Sequence, residues 1–191
     1  MTRRSLLALA LFLLCGIAVH GGSRTSINKM GGDISLDDAP FGASLRTMGG
    51  DIRVGRAGAG VIAKTMGGNI DVEALAGHRL DAGTMGGNIR VHVVGSGGGR
   101  DLALHTMGGS VELIVPRDFD ATFLVEIKQA DESVKSGIES DFPLSQTVSE
   151  QSSWFRGKHQ TIVARKTAST QANRVEISTY ANRVVIRRET R

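Results

Sequence analysis

Two aspartates at matching positions of a repeated phrase are the residues whose type and spacing could do acid–base chemistry. Asp33 and Asp51 each follow a Gly-Gly pair, and 18 residues separate them. On neighbouring coils of a stacked fold their carboxylates are expected about 5 Å apart, a separation typical of a retaining glycosidase. Glu73 is an alternative acid or base nearby. These residues are the candidates for a polysaccharide-processing β-helix enzyme.

The same position also suits a structural role or a cation. Its five occupants are Asp33, Asp51, Asn69, Asn88 and Ser110. Short polar side chains after glycines cap turns by hydrogen bonding to nearby backbone amides, and stacked asparagines can bond to one another. A calcium site needs several convergent carboxylates, which two asparagines and a serine do not supply. We therefore expect turn capping here, with no bound metal.

Motifs for other chemistries are missing from the sequence or incomplete. Neither Gly-x-Ser-x-Gly nor His-Glu-x-x-His occurs, so no hydrolase elbow and no helical zinc pair is predicted. The glycine-rich stretch at 95–99 is not followed by Lys-Ser/Thr, which indicates an insertion loop rather than a phosphate-binding loop. The histidines lack close metal-ligand spacing. We predict no catalytic residue, no cofactor and no nucleic-acid partner.

The phrase that carries the aspartates recurs five times and indicates how the chain is organised. Lys-Met-Gly-Gly-Asp-Ile stands at 29–34, and four Thr-Met-Gly-Gly copies follow, with methionines 18, 18, 19 and 22 residues apart. So short a period suits one coil of a β-solenoid. Stacking on a neighbour about 4.8 Å away pairs the backbones of short strands and extends their core. The predicted class is all-β, a single-stranded parallel β-helix with coils of about 18–22 residues.

Alternation within each copy predicts a core and a sharp corner. Two aliphatic columns are expected to face inward: Ile34, Ile52, Ile70, Ile89 and Val111, and Leu36, Val54, Val72, Val91 and Leu113. Glycine is expected at the corner because the bend requires positive φ or close backbone approach. The corner residues are Gly31, Gly32, Gly49, Gly50, Gly67, Gly68, Gly86, Gly87, Gly108 and Gly109.

The orientation of the repeated methionine is ambiguous in the pattern. Alternation from Val61 points Met66 outward, whereas counting back from Ile70 points it inward. An outward row is an exposed adhesive stripe, and an inward row fills irregular core space. We favour the inward orientation for the column, which is Met30, Met48, Met66, Met85 and Met107.

The N-terminal segment has the features of an export signal. Its charged start, apolar stretch and small-residue end are typical of a secretory signal peptide, so we expect location in the periplasm or cell envelope. Cys15, the only cysteine, lies inside this segment, and lipid modification there is the alternative. The predicted divisions are a signal peptide at 1–22 and a β-solenoid domain at 23–191, with regular coils at 25–116, irregular coils and a polar excursion at 117–172 and a closing coil at 173–188.

An aromatic cluster and a basic C-terminal stretch are the candidate contact features. Trp154 and Phe155, with Arg156 beside them, either anchor a partner or membrane surface or cap the open end of the stack, and we favour capping. The formal net charge is +4, and the dispersed C-terminal arginines suit anionic envelope polymers, lipid headgroups or a solvated face.

Across Thr-x-Gly-Gly-Asp/Asn-Ile-x-Val the chain resembles a family of bacterial adhesin-like domains of unknown function, which are expected to form single-stranded β-solenoids. The resemblance covers residues 25–188, although typical members carry one glycine before Asp-Ile. It implies a cell-envelope scaffold or adhesin-like surface whose partner is an envelope polymer or protein, and it carries over no catalytic residues. The alternatives are the polysaccharide-processing enzyme and an envelope protein that self-assembles end to end.

Overall fold

The computed structural model describes residues 23–129, 137–153, 157–168, 172–180 and 183–190, and every regular element in these ranges is a β-strand. The predicted signal peptide with Cys15 and the predicted contact residues Trp154, Phe155 and Arg156 lie outside the described residues. No helix suited to crossing a membrane occurs within those ranges. The strands are β1 (Thr25–Asn28), β2 (Ile34–Ala39), β3 (Ala43–Arg46), β4 (Ile52–Ala57), β5 (Val61–Lys64), β6 (Ile70–Leu75), β7 (Arg79–Thr84), β8 (Ile89–Val93), β9 (Asp101–Thr106), β10 (Val111–Val115), β11 (Ala121–Gln129), β12 (Ile138–Ser140), β13 (Ser145–Ser153), β14 (Gly157–Lys166), β15 (Asn173–Tyr180) and β16 (Val184–Arg188).

Successive strands of the repeats alternate between two sheets. Within the described ranges, the first sheet has nine strands in the order β1-β3-β5-β7-β9-β15-β11-β14-β13, and the second has seven in the order β12-β16-β10-β8-β6-β4-β2. Neighbours are parallel except where β14 pairs with β11 and with β13. The predictions of an all-β fold and of parallel stacking are therefore confirmed.

One strand from each sheet makes up a level of the stack. Levels 1 to 5 are β1–β2, β3–β4, β5–β6, β7–β8 and β9–β10, level 6 is β15–β16, and level 7 is β11–β12. Strands of three to nine residues cannot bury an apolar face alone, so each level depends on its neighbours for backbone partners and for core.

The core consists of aliphatic columns that run through the levels in register. Ile34 pairs with Ile52, Ile52 with Ile70 and Ile70 with Ile89, and each of these side chains is at most 2% exposed. The two predicted inward columns are confirmed. Leu36, in level 1, is only partly buried.

The segment predicted as a closing coil does not lie at the end of the stack. β15 lies between β9 and β11, and β16 lies between β10 and β12. The aliphatic columns continue through this position, because Val175 pairs with Leu102 and Ile177 pairs with Leu104, and all four side chains are buried. Along the chain, the strands of level 7 therefore come before those of level 6.

An aromatic pair covers the interior beside level 7. Phe142 follows β12 and packs on Phe123 of β11, with ring centroids 5.0 Å apart. Lys166 Nζ lies 5.3 Å and the Arg188 guanidinium 4.4 Å from the centroid of the Phe142 ring, a cation–π arrangement. Phe142 is buried, and sequence reasoning did not assign it this covering role.

Engineered cysteine pairs test the order of the levels. Ser178 of β15 is the register partner of His105 in β9 on one side and of Glu126 in β11 on the other. Neighbouring strands about 4.8 Å apart suit a disulfide, whereas strands two places apart, about 9.6 Å, do not. With Cys15→Ser present, we expect His105→Cys/Ser178→Cys to oxidise and His105→Cys/Glu126→Cys to stay reduced, as measured by peptide mass spectrometry. A disulfide in the second pair alone would contradict this order.

Candidate functional site: the repeated Met-Gly-Gly corner

At each of levels 1 to 5 a corner containing Met-Gly-Gly connects a strand of the first sheet to the next strand of the second. Backbone hydrogen bonds join successive corners: Gly67 N donates to Met48 O at 3.2 Å, and Gly86 N donates to Met66 O at 3.0 Å. Met85 N also donates to Met66 O, at 3.2 Å. The corners therefore lie directly over one another, and their equivalent side chains form columns along the stack.

A column of buried threonines fastens each corner to the preceding one. The Thr65 hydroxyl donates to Gly50 O at 2.9 Å and accepts a bond from Gly68 N at 3.3 Å. The equivalent donations from Thr47, Thr84, Thr106 and Thr179 are 2.8–3.0 Å long. Sequence reasoning did not predict these bonds. The available signal was a threonine that recurs at the next alternate position after the inward-facing apolar residues of successive first-sheet strands.

In the corners of levels 2 to 5, the second glycine of the pair is required by close backbone approach. A Cβ on Gly68 would lie 2.0 Å from Gly50 O, and the equivalent distances at Gly50, Gly87 and Gly109 are 2.1, 2.0 and 1.8 Å. Of the ten predicted corner glycines, all of them described, only Gly32 has positive φ, 82°. The first glycine has more space: the nearest atom to a Cβ is 3.9 Å away at Gly67, 3.7 Å at Gly86 and 3.2 Å at Gly108. Of the two reasons predicted for glycine, close approach therefore holds at the second position in levels 2 to 5, and positive φ holds at Gly32 in level 1.

The Asp/Asn column caps the backbone of the following level. Asp33 Oδ1 accepts a bond from Asp51 N at 2.8 Å, and Asp51 Oδ1 accepts bonds from Asn69 N at 2.7 Å and Asn69 Nδ2 at 3.2 Å. Asn69 and Asn88 continue the pattern by accepting from Asn88 N at 2.9 Å and Ser110 N at 2.8 Å. The capping prediction is confirmed. Within the described residues, no cluster of three or more His, Cys, Asp or Glu side chains could hold a metal ion.

The methionine column faces solvent, so the inward orientation favoured from sequence is wrong. Met48, Met66, Met85 and Met107 are 48–51% exposed, and Met30 is 85% exposed. The threonine occupies the inward position at the corner, and alternation then points the next side chain outward.

A shallow groove of about 640 Å³ runs along the outer face of the second sheet beside the Asp/Asn column. Its floor includes a register column of alternating charge, namely Arg53, Asp71, Arg90 and Glu112. Arg90 and Glu112 form a salt bridge at 2.7 Å, and the hydrogen bond that Arg90 Nε donates to the Glu112 carboxylate raises the pKa of Arg90. The groove continues to level 6, where Arg187 lines it.

The stretch at 95–99 is a loop between β8 and β9, as predicted. Arg100, 4% exposed, holds it in place by donating from Nη1 to Gly95 O at 2.7 Å and from Nη2 to Val94 O at 3.0 Å. Desolvation lowers the pKa of Arg100. Because these donors are used by backbone carbonyls, the arginine stabilises the loop instead of presenting a phosphate site.

Comparison with known proteins gives no match among protein-family models, curated proteins or solved structures. The resemblance to adhesin-like domains therefore stays a prediction.

Two neighbouring glycines provide a matched test of the corner. Gly68→Ala should lower the free energy of unfolding by more than about 3 kcal/mol, because its methyl group would overlap a backbone carbonyl. Gly67→Ala has open space and should change stability by less than about 1 kcal/mol, towards greater stability. Urea unfolding followed by circular dichroism measures both. Equal losses in the two variants would contradict the assigned role of close approach.

The threonine bonds are tested by two substitutions at one site. Thr65→Val keeps the shape but leaves Gly50 O and Gly68 N without this partner, so we expect a loss of about 1–3 kcal/mol in unfolding free energy. Thr65→Ser keeps the hydroxyl and should lose about 1 kcal/mol or less through its missing methyl group. Urea midpoints rank the two proteins. A valine variant at least as stable as the serine variant would show that the hydroxyl does not fasten the levels.

Proposed function

We propose that this protein is a non-enzymatic β-solenoid of the cell envelope that holds an extended polar polymer, such as an envelope polysaccharide, in the groove across levels 2 to 6. The β-solenoid assignment is supported by strands that alternate between two sheets and stack in parallel through the repeats. Export through the segment at 1–22 and kinship with adhesin-like domains belong to the same proposal.

The continuity of the groove is the observation that carries this function. The same types of side chain line it at successive levels: the Asp/Asn column along one edge and alternating charges on the floor. Five levels at about 4.8 Å spacing give a length of about 20 Å, which suits several consecutive units of a linear polymer. Binding would be shared among many weak polar contacts.

The corner geometry favours contact over catalysis. The candidate acid–base pair, Asp33 and Asp51, already accepts backbone hydrogen bonds from the next level through Oδ1. Asn69 and Asn88 make the equivalent bonds without an ionisable group. An arrangement that works equally well with amides supports a structural role for these carboxylates.

Binding to a solid polymer tests the proposal. The full chain is sedimented with insoluble peptidoglycan, and bound protein is measured against concentration. Arg53→Ser/Arg187→Ser removes two groove charges and should weaken binding by about tenfold, because each charged contact to a polar ligand contributes about 0.5–1 kcal/mol. Arg46→Ser/Arg79→Ser removes two exposed charges from the first sheet and should change binding by less than about twofold.

Two results would contradict the proposal. Equal weakening in both double variants would indicate general charge attraction, and absence of binding by the parent chain would exclude this polymer class. Asp51→Asn distinguishes catalysis from contact, because it keeps the capping oxygen. Release of soluble sugar by the parent that Asp51→Asn abolishes, with the fold intact, would establish an enzyme instead.

A further inference from the structure

The methionine column places one thioether at the same outer corner of five consecutive levels. Backbone hydrogen bonds between Met66 and Met85, and between Met48 and Gly67, hold these positions directly over one another. The four inner methionines have nearly equal exposure, 48–51%, whereas Met30, with no described level before it, is 85% exposed. Their environments therefore repeat from level to level.

Packing does not explain why the residue is methionine at every level. The side chains point to solvent, and the threonines and aliphatic columns supply the core beneath them. The Asp/Asn column, which makes structural bonds, varies between Asp, Asn and Ser, yet the solvent-facing position keeps methionine in all five copies. Leucine or lysine would cover the same surface. What methionine alone adds there is a polarisable sulfur donor.

A row of thioethers is a donor set for soft monovalent cations. Thioether sulfur selects ions such as Cu(I), whereas hard ions prefer oxygen. With metal–sulfur bonds of about 2.3 Å, two sulfurs on opposite sides of one ion are about 4.6 Å apart, close to the 4.8 Å spacing of levels. We infer that adjacent methionines of this column bind copper-group monovalent cations, Cu⁺ and Ag⁺, between levels.

The column has a defined end. At level 6 the residue after the fastening threonine is Tyr180 instead of methionine, and Lys128 Nζ lies 5.7 Å from its ring centroid. Tyr180 offers no sulfur, and the positive charge of Lys128 repels a metal cation. The proposed sites are therefore confined to levels 1 to 5. This inference is independent of the groove, which lies on the outer face of the second sheet.

Two double variants that remove the same number of sulfurs test the adjacency of the donors. Met48→Leu/Met85→Leu leaves Met30, Met66 and Met107 with no neighbouring methionine, whereas Met30→Leu/Met107→Leu leaves three in succession. All proteins are full-length and carry Cys15→Ser, because a thiolate would bind the same ions. Ag⁺ in chloride-free buffer is titrated by calorimetry, and thermal unfolding without Ag⁺ confirms that each variant is folded.

We expect the first variant to bind Ag⁺ at least about tenfold more weakly than its parent, and the second to keep its affinity within about threefold. The silver X-ray absorption spectrum of the parent should show sulfur neighbours. The inference is overturned if the parent does not bind Ag⁺, if both variants weaken equally, or if the silver has only nitrogen and oxygen neighbours. Peptidoglycan binding is measured without Ag⁺, so its result tests the groove proposal and does not depend on the outcome of the silver titration.

Discussion

The close approach of backbones at the second glycine of the corners in levels 2 to 5 is the constraint on which the repeats depend. The carbonyl of the preceding level lies where a Cβ would be, at 2.0 Å for Gly68. The Thr65 hydroxyl donates to the same carbonyl and accepts a bond from the Gly68 amide of its own level. The corner thus satisfies buried polar groups without a disulfide, and the chain outside the predicted signal peptide contains no cysteine.

The same constraint distributes the other side chains. Because threonine takes the inward position, the methionine that follows it points to solvent, and the polar residue after the glycines lies beside the following level's amide. Each column then has a single role. Aliphatic residues fill the core, threonines and the Asp/Asn column fasten the levels, and methionines form an outer edge. A single substitution alters one member of one column, and its effect on stability is confined to the neighbouring levels.

The sequence was sufficient for the features that follow from period and alternation. The repeat predicted the parallel stacking, the columns through Ile70 and Val72, and the capping role of Asp51. It could not distinguish Gly67 from Gly68, because both are glycine and only the distance to the preceding carbonyl separates them. The orientation of Met66 depended on where the corner interrupts the inward–outward alternation, because counting from Val61 and counting back from Ile70 give opposite answers. The position of level 6 depended on which free edge the last strands would join, and local pattern does not encode this choice.

The separate roles of the columns also indicate where function is to be sought. A column that fastens the stack is constrained by its bonds, so its chemistry is explained by stability, and this accounts for Thr65 and Asp51. The methionine edge and the charged floor of the groove are regular although the fold makes little use of them. A repeated surface offers a ligand the same contact at every level, so weak contacts add up along a polymer or a row of ions. Function in such a fold is a property of columns, and its loss should follow how many neighbouring members are removed.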